Sequence, residues 1–252
     1  LNDGFLKGKV ALVTGGGRGI GRATAMRLAR EGAAVAICAR TETELRETAE
    51  WIRSEGGVVD YFIADLGVPV QIRSMVDQIL GRHRRMDYLI NNASLLGPKV
   101  PVSDYPLEEW EEVLKVNLTG LFLVTQAVLK PMMAQKSGCI IHLTSTVGRA
   151  GRALWGAYAV SKFGVEGLTQ VLAEEVRDYN IRVMALNPGA TRTRMRAEAY
   201  PEEDPATLKP PEEDAEAIYR LILNDDRTLS GKSLDAKRIL AEWPSRPERI
   251  RL

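Results

Sequence analysis

The chain has only two cysteines and two histidines among its 252 residues. Two thiols are too few for a disulfide framework. Cys38 and Cys139 lie in or beside apolar runs, which suits small core residues of a reduced, cytosolic protein. Charge of one sign is also missing: Lys+Arg 34 against Asp+Glu 33 leaves a formal +1. That balance gives no general attraction for nucleic acid or a membrane surface. No His/Cys/Asp/Glu cluster has metal-ligand spacing, so no metal is expected. No apolar run approaches the ~20 residues that cross a bilayer, and Leu1 to Lys9 has no apolar signal-peptide core. The expectation is a soluble, unsecreted, cytoplasmic protein. Repeats and low-complexity linkers are absent too, so residues 1–252 are expected to form a single domain, with Lys237 to Leu252 a basic tail. Trp51, Trp110 and Trp243 read as packing or interface residues. His142 reads as packed within a strand, and His83 as solvated at a basic helix end.

What is present begins with Thr14-Gly15-Gly16-Gly17-Arg18-Gly19-Ile20-Gly21, between the apolar run Val10 to Val13 and an amphipathic run from Arg22. Strand, glycine turn and helix follow one another as a dinucleotide phosphate site requires. Glycines let the backbone turn tightly and approach a pyrophosphate, and the helix N-terminus offers free N–H groups to the anion.

Downstream, strand and helix alternate. Strands are expected at Val10 to Val13, Ala34 to Cys38, Val58 to Ala64, Asp87 to Ile90, Ile140 to Thr144 and Arg182 to Leu186, with a short one at Ser233 to Ala236. Helices are expected near Gly19 to Arg30, Glu42 to Ser54 (capped by Thr41), Val70 to Arg84, Leu107 to Ala134 and Ala157 to Asp178. The last runs from Glu212 to Leu223. Gly32 suits a left-handed helix end. Arg192 to Leu208 is polar and poorly periodic, a lid or a surface loop. This alternation predicts a single α/β domain, a doubly wound parallel sheet with helices on both faces and ligands beyond the carboxyl ends of its strands.

On that edge stand Ser145, Tyr158 and Lys162. Tyr158 and Lys162 lie one helical turn apart and share a face. A phenol of reference pKa about 10 is a poor base at neutral pH. A neighbouring ammonium favours phenolate, so the pair could move a proton while a serine hydroxyl holds an oxygen. Tyrosine and lysine at this spacing also occur on ordinary helix surfaces, so the spacing alone leaves both readings open.

From about Gly8 to Ala236 the sequence resembles the short-chain dehydrogenase/reductase family. The resemblance rests on the TGxxxGxG form at Thr14 to Gly21, on Asn91-Asn92-Ala93, on Asn117, and on Ser145 with Tyr158-Ala159-Val160-Ser161-Lys162. Pro188-Gly189 followed by Thr193 completes it. It implies a Rossmann-type fold and assigns catalytic roles. Tyr158 would be general acid or base. Lys162 would bind the nicotinamide ribose and lower the Tyr158 pKa. Ser145 would hold the substrate oxygen, and Asn117 would fix a water linking Lys162 to a proton relay. Gly15, Gly17, Arg18, Gly19, Ile20 and Gly21 would surround the adenosine phosphates. Asp65 and Leu66 would meet adenine, and Asn92 and Ala93 its ribose region. Pro188, Thr191 and Thr193 would hold the carboxamide and nearby phosphate. A homodimer or homotetramer is implied, paired through the Leu107 to Ala134 helix and the helix of Tyr158.

The second strand ends Cys38-Ala39-Arg40, without the carboxylate usual for NAD. Arg40 can meet a 2′-phosphate, with Arg18 beside it, so NADP(H) is the expected cofactor. The expected function is hydride transfer between NADPH and a small-molecule carbonyl or alcohol. The other readings are an NAD-linked alcohol dehydrogenase and a cofactor-binding scaffold without turnover. Ser94 departs from the family pattern, standing where a glycine usually follows Asn-Asn-Ala. The final strand lacks the usual terminal glycines. Arg149 and Arg152, before Tyr158, suit either an anionic substrate group or, more simply, solvated loop cations. The loops around them are similar to a bacterial subgroup whose substrate is unsettled.

Overall fold

The computed structural model describes residues 4–243. Its sheet has seven parallel strands in the order β3-β2-β1-β4-β5-β6-β7. The strands are β1 (Val10–Thr14), β2 (Ala34–Ala39), β3 (Val58–Ile63), β4 (Tyr88–Asn91), β5 (Gly138–Leu143), β6 (Ile181–Asn187) and β7 (Ser233–Asp235). Around them run α1 (Gly19–Arg30), α2 (Glu42–Ser54), α3 (Pro69–His83), α4 (Leu107–Leu114), α5 (Leu121–Gln135), α6 (Gly156–Glu175), α7 (Arg194–Ala199), α8 (Pro211–Leu223) and α9 (Ala236–Glu242).

Strand residues alternate between two cores. Ala11, Val13, Val35 and Ile37 pack with Leu28, Leu45, Ile52 and Ile218, from α1, α2 and α8. Leu12, Ala36 and Ile140 pack on the opposite face with Ile72, Val124 and Leu172, from α3, α5 and α6. Burial of both faces explains why these strands are continuous apolar runs. Strand order reverses between β1 and β4, the switch point where an open parallel sheet leaves a crevice at its carboxyl edge.

Several elements depart from expectation. Thr41 precedes α2 but makes no side-chain cap. Arg192 to Leu208 is structured, with α7 and a 3-10 turn at Pro205–Thr207. Helix α8 is not the last: Lys237 to Glu242 belong to α9, and Ile239 is buried against the core. The rest of the expected basic tail, 244–252, lies outside the described residues. His83 is not simply solvated, since its Nε2 lies 2.9 Å from Asp60 Oδ2. His142 is packed, with Nδ1 3.0 Å from Thr169 Oγ1, and burial pulls it down to about 3, so it stays neutral at ordinary pH.

The long helical stretch is continuous from Leu107 to Gln135 but changes pitch, with π-helical turns at Lys115–Gly120 between α4 and α5. By length and composition alone this stretch is long and apolar enough to cross a membrane, as a core helix can also be. In this fold Val124, Val128 and Met132 are fully buried in the core beside the sheet.

Candidate active site

A cleft of about 630 Å³ runs along the carboxyl edge of the sheet, from the end of β2 across β1 and β4 to the start of α6. Gly15, Gly17, Arg18, Gly19 and Ile20 line it, with Arg40, Asp65, Leu66, Asn92, Ala93, Tyr158, Lys162, Pro188 and Thr193.

Two glycines of the turn take the left-handed backbone that glycine adopts most readily: Gly15 at φ +67° and Gly19 at φ +54°. Gly21 does not line the cleft. A Cβ there would lie 2.1 Å from Gly15 O, so its role is to let α1 close onto the turn. Asn92 ties the turn to β4: its Nδ2 donates to Thr14 O at 2.9 Å and Gly15 O at 3.2 Å. Thr14 Oγ1 accepts from the backbone N–H groups of Asn92 and Ala93 at 3.0 and 3.1 Å. Helix α1 begins without a side-chain cap, so its first N–H groups remain for a ligand. The turn therefore fits a dinucleotide diphosphate: a tight backbone, glycines that allow close approach, and uncapped donors.

At the end of the cleft formed by β2, Arg18 donates to Glu44 Oε1 at 3.2 Å, and Arg40 stands 4.0 Å from Glu112. Glu44 also lines the cleft and escaped the sequence reading. Its place in the first turn of α2 becomes informative only once α2 packs beside the glycine turn.

At the other end Tyr158 and Lys162 are buried. Burial pushes the Tyr158 phenol up to about 12, against a hydrogen bond with the Ser145 side chain that favours ionisation. Lys162 Nζ donates to Leu143 O at 2.8 Å and lies 5.4 Å from the Tyr158 ring centroid. Burial lowers the ammonium itself to about 8. Ser145 reaches the site through Tyr158 rather than by lining the cleft. Leu96, Trp155 and Met195 form an apolar wall with Tyr158, the Trp155 ring 5.6 Å from the phenol ring.

Two expected residues point elsewhere. Asn117, in the π-helical turns, accepts from Leu95 N at 2.7 Å and donates to Leu95 O at 2.8 Å and Ser161 Oγ at 3.2 Å. It clamps the loop after β4 and does not line the cleft. Thr191 is buried and donates to Asp214 Oδ2 at 2.6 Å, so its hydroxyl is spent on α8.

Arg149 is neither a solvated cation nor aimed at substrate. Nε donates to Ser233 Oγ at 2.8 Å, Nη1 to Asp235 at 3.0 Å, and Nη2 to Leu234 O at 3.1 Å. Asn187 Nδ2 donates to the same Asp235 at 2.7 Å. The last strand thereby joins the loop after Ser145 to the turn before Pro188. This explains why Ser233 to Asp235 keeps polar residues. Arg149→Met should cost about 1–2 kcal/mol, a melting-temperature drop of about 2–6 °C by calorimetry; an unchanged value would show the knot idle. Arg152 donates to Tyr200 Oη at 2.8 Å.

A glycine turn that fits a phosphate, at a switch point and sharing one cleft with a buried Tyr–Lys pair, describes a nucleotide-dependent oxidoreductase. The chain belongs to the short chain dehydrogenase family, whose sequence profile matches residues 9–204. It is 41% identical over 237 residues to the uncharacterized oxidoreductase YciK of Escherichia coli (strain K12), covering 92% of this chain and 93% of that protein. A short chain dehydrogenase of Shigella flexneri 2a str. 301, solved with NADP, is 40% identical with TM-score 0.88, covering 94% of this chain and 100% of that one. Another from Escherichia coli CFT073, solved with NADPH, is 39% identical with TM-score 0.86, covering 94% and 100%.

Proposed function

We propose that this protein is an NADPH-dependent carbonyl reductase, reversible as an alcohol dehydrogenase. The observation that carries the reading is the single cleft holding both the glycine turn and the buried Tyr158–Lys162 pair. NADP(H) fits its adenosine end because Arg18 and Arg40 supply guanidinium groups there and the end of β2 has no carboxylate. The two relatives solved with NADP and NADPH support the same cofactor.

Bound NADPH supplies the hydride that reduces a carbonyl carbon. Tyr158 gives its phenolic proton to the substrate oxygen, and takes it back in oxidation. Ser145, already bonded to Tyr158, orients that oxygen. Lys162 holds the nicotinamide ribose and lends positive charge to the phenolate that forms. Asn117 supports them by fixing the loop after β4 and, through Ser161, α6. The wall of Leu96, Trp155 and Met195 excludes water from Tyr158. Following NADPH absorbance against a panel of ketones and aldehydes tests the reading. Tight NADPH binding with no turnover on any member would favour the scaffold alternative.

Assembly with a second copy belongs to this reading. Val160, Phe163 and Val171 of α6 form an exposed stripe, 46–56% accessible, with exposed Phe122 on α5. Phe163→Glu is expected to lower the particle mass in sedimentation; a wild type already monomeric would refute the pairing.

A further inference from the structure

Among the described residues, five buried side-chain polar atoms have no hydrogen-bond partner. Two of these, Ser94 Oγ and Thr144 Oγ1, belong to residues that line the cleft. Folded proteins rarely leave a buried hydroxyl unpaired, and such groups ask for a specific explanation. Asn91 Oδ1 and His142 Nε2 belong to paired positions of β4 and β5 and do not line the cleft. Tyr105 Oη lies by Gly97, also outside it.

The backbones of the two cleft residues are held firmly. Ser94 sits between Asn92, which is tied to the glycine turn, and Leu95, whose N–H and C=O are both clamped by Asn117. Thr144 is 3% exposed, and its N–H donates to Leu186 O at 2.9 Å. The residue before it, Leu143, receives Lys162 Nζ. In the sheet β4 lies between β1 and β5. The two hydroxyls therefore stand between the diphosphate turn that follows β1 and Lys162 beyond β5. Their backbones are fixed in advance and their hydroxyls are uncommitted, the condition for a strong ligand contact.

We propose that Ser94 and Thr144 are cofactor-binding residues whose hydroxyls hydrogen-bond the nicotinamide-side ribose of NADP(H) and its adjoining phosphate. The proposal rests on the NADP(H) reading of the cleft. It gives Ser94 a purpose that glycine could not serve: glycine leaves room for the cofactor, whereas serine adds a donor to it.

The test uses the full chain and its Ser94→Ala and Thr144→Val variants. Titration calorimetry is run with NADPH and with adenosine 2′,5′-diphosphate, which lacks the nicotinamide half. Thermal unfolding is measured without ligand. Each variant should weaken NADPH binding about 5- to 20-fold and leave the fragment within about twofold. The ligand-free melting temperature should stay or rise, because removing an unpaired buried hydroxyl relieves a cost. Unchanged NADPH affinity with a lowered melting temperature would overturn the proposal and make the hydroxyls structural. Equal weakening of both ligands would overturn the placement at the nicotinamide half. Wild-type protein that binds neither ligand would remove the NADP(H) reading itself, and this assignment with it. Should Thr144→Val fail to fold, Ser94→Ala alone carries the test.

Discussion

Tyr158→Phe is expected to lower kcat by about 10²–10⁴-fold, the usual contribution of a positioned proton donor, while leaving NADPH affinity within about twofold. The ring stays against Trp155 and only the phenolic oxygen is lost, so the apolar wall should survive. Stopped-flow turnover with the best carbonyl from the panel, paired with an NADPH titration, separates the two effects. Near-normal turnover would contradict tyrosine acid catalysis. The pH profile adds a sign. Burial brings Lys162 to about 8, so its positive charge is present below that pH and lost above it. Burial pushes the Tyr158 proton the other way, to about 12, so the acid stays loaded. Reduction should therefore be flat through neutrality and fall as pH rises through about 8, tracking the lysine rather than the tyrosine. A fall centred well below that value would point to another group.

Arg40→Ala is expected to raise the KM for NADPH about 10- to 100-fold and to change the KM for NADH much less. A charge-assisted contact to the 2′-phosphate contributes about 1.5–3 kcal/mol, and NADH has no such group. Arg40 is mostly exposed and only loosely paired with Glu112 at 4.0 Å, so little protein structure depends on it. Glu44 sharpens the test. It holds Arg18 at 3.2 Å in the same cleft, so a 2′-phosphate must compete with a carboxylate for that guanidinium. Glu44→Gln should therefore tighten NADPH. Equal effects of Arg40→Ala on both cofactors would return the choice to the NAD-linked reading.

Much of this site was legible residue by residue. Gly15 and Gly19 were legible because a glycine run stands between an apolar and an amphipathic run, and both take the left-handed backbone that glycine adopts most readily. Helical spacing puts Tyr158 and Lys162 on one face, and the resemblance of Ser145 with Tyr158 to Lys162 to the family's motif singled them out. The placement of Gly21, Asn117 and Thr191 was not. Gly21 serves a close approach within the turn, Asn117 is turned by a π-helical stretch onto Leu95, and Thr191 is drawn to Asp214. The last two outcomes depend on a partner more than twenty residues away, and local spacing carries no record of such a partner. Arg149 is the clearest case, since its ligands lie more than eighty residues downstream.

The sequence by itself determined the strand–helix alternation, the doubly wound sheet and the motifs on its carboxyl edge. These follow from hydrophobic period and backbone permissiveness, which are local properties. The tertiary structure alone decided which side chains face the cleft and how they titrate. It committed Lys162 Nζ to Leu143 O, let burial outweigh the Ser145 hydrogen bond at Tyr158, and left the Ser94 and Thr144 hydroxyls unpaired in residues that line the cleft. Hydrogen-bond pairing and desolvation are set by what packs around a group, and that is known only when distant parts of the chain have met.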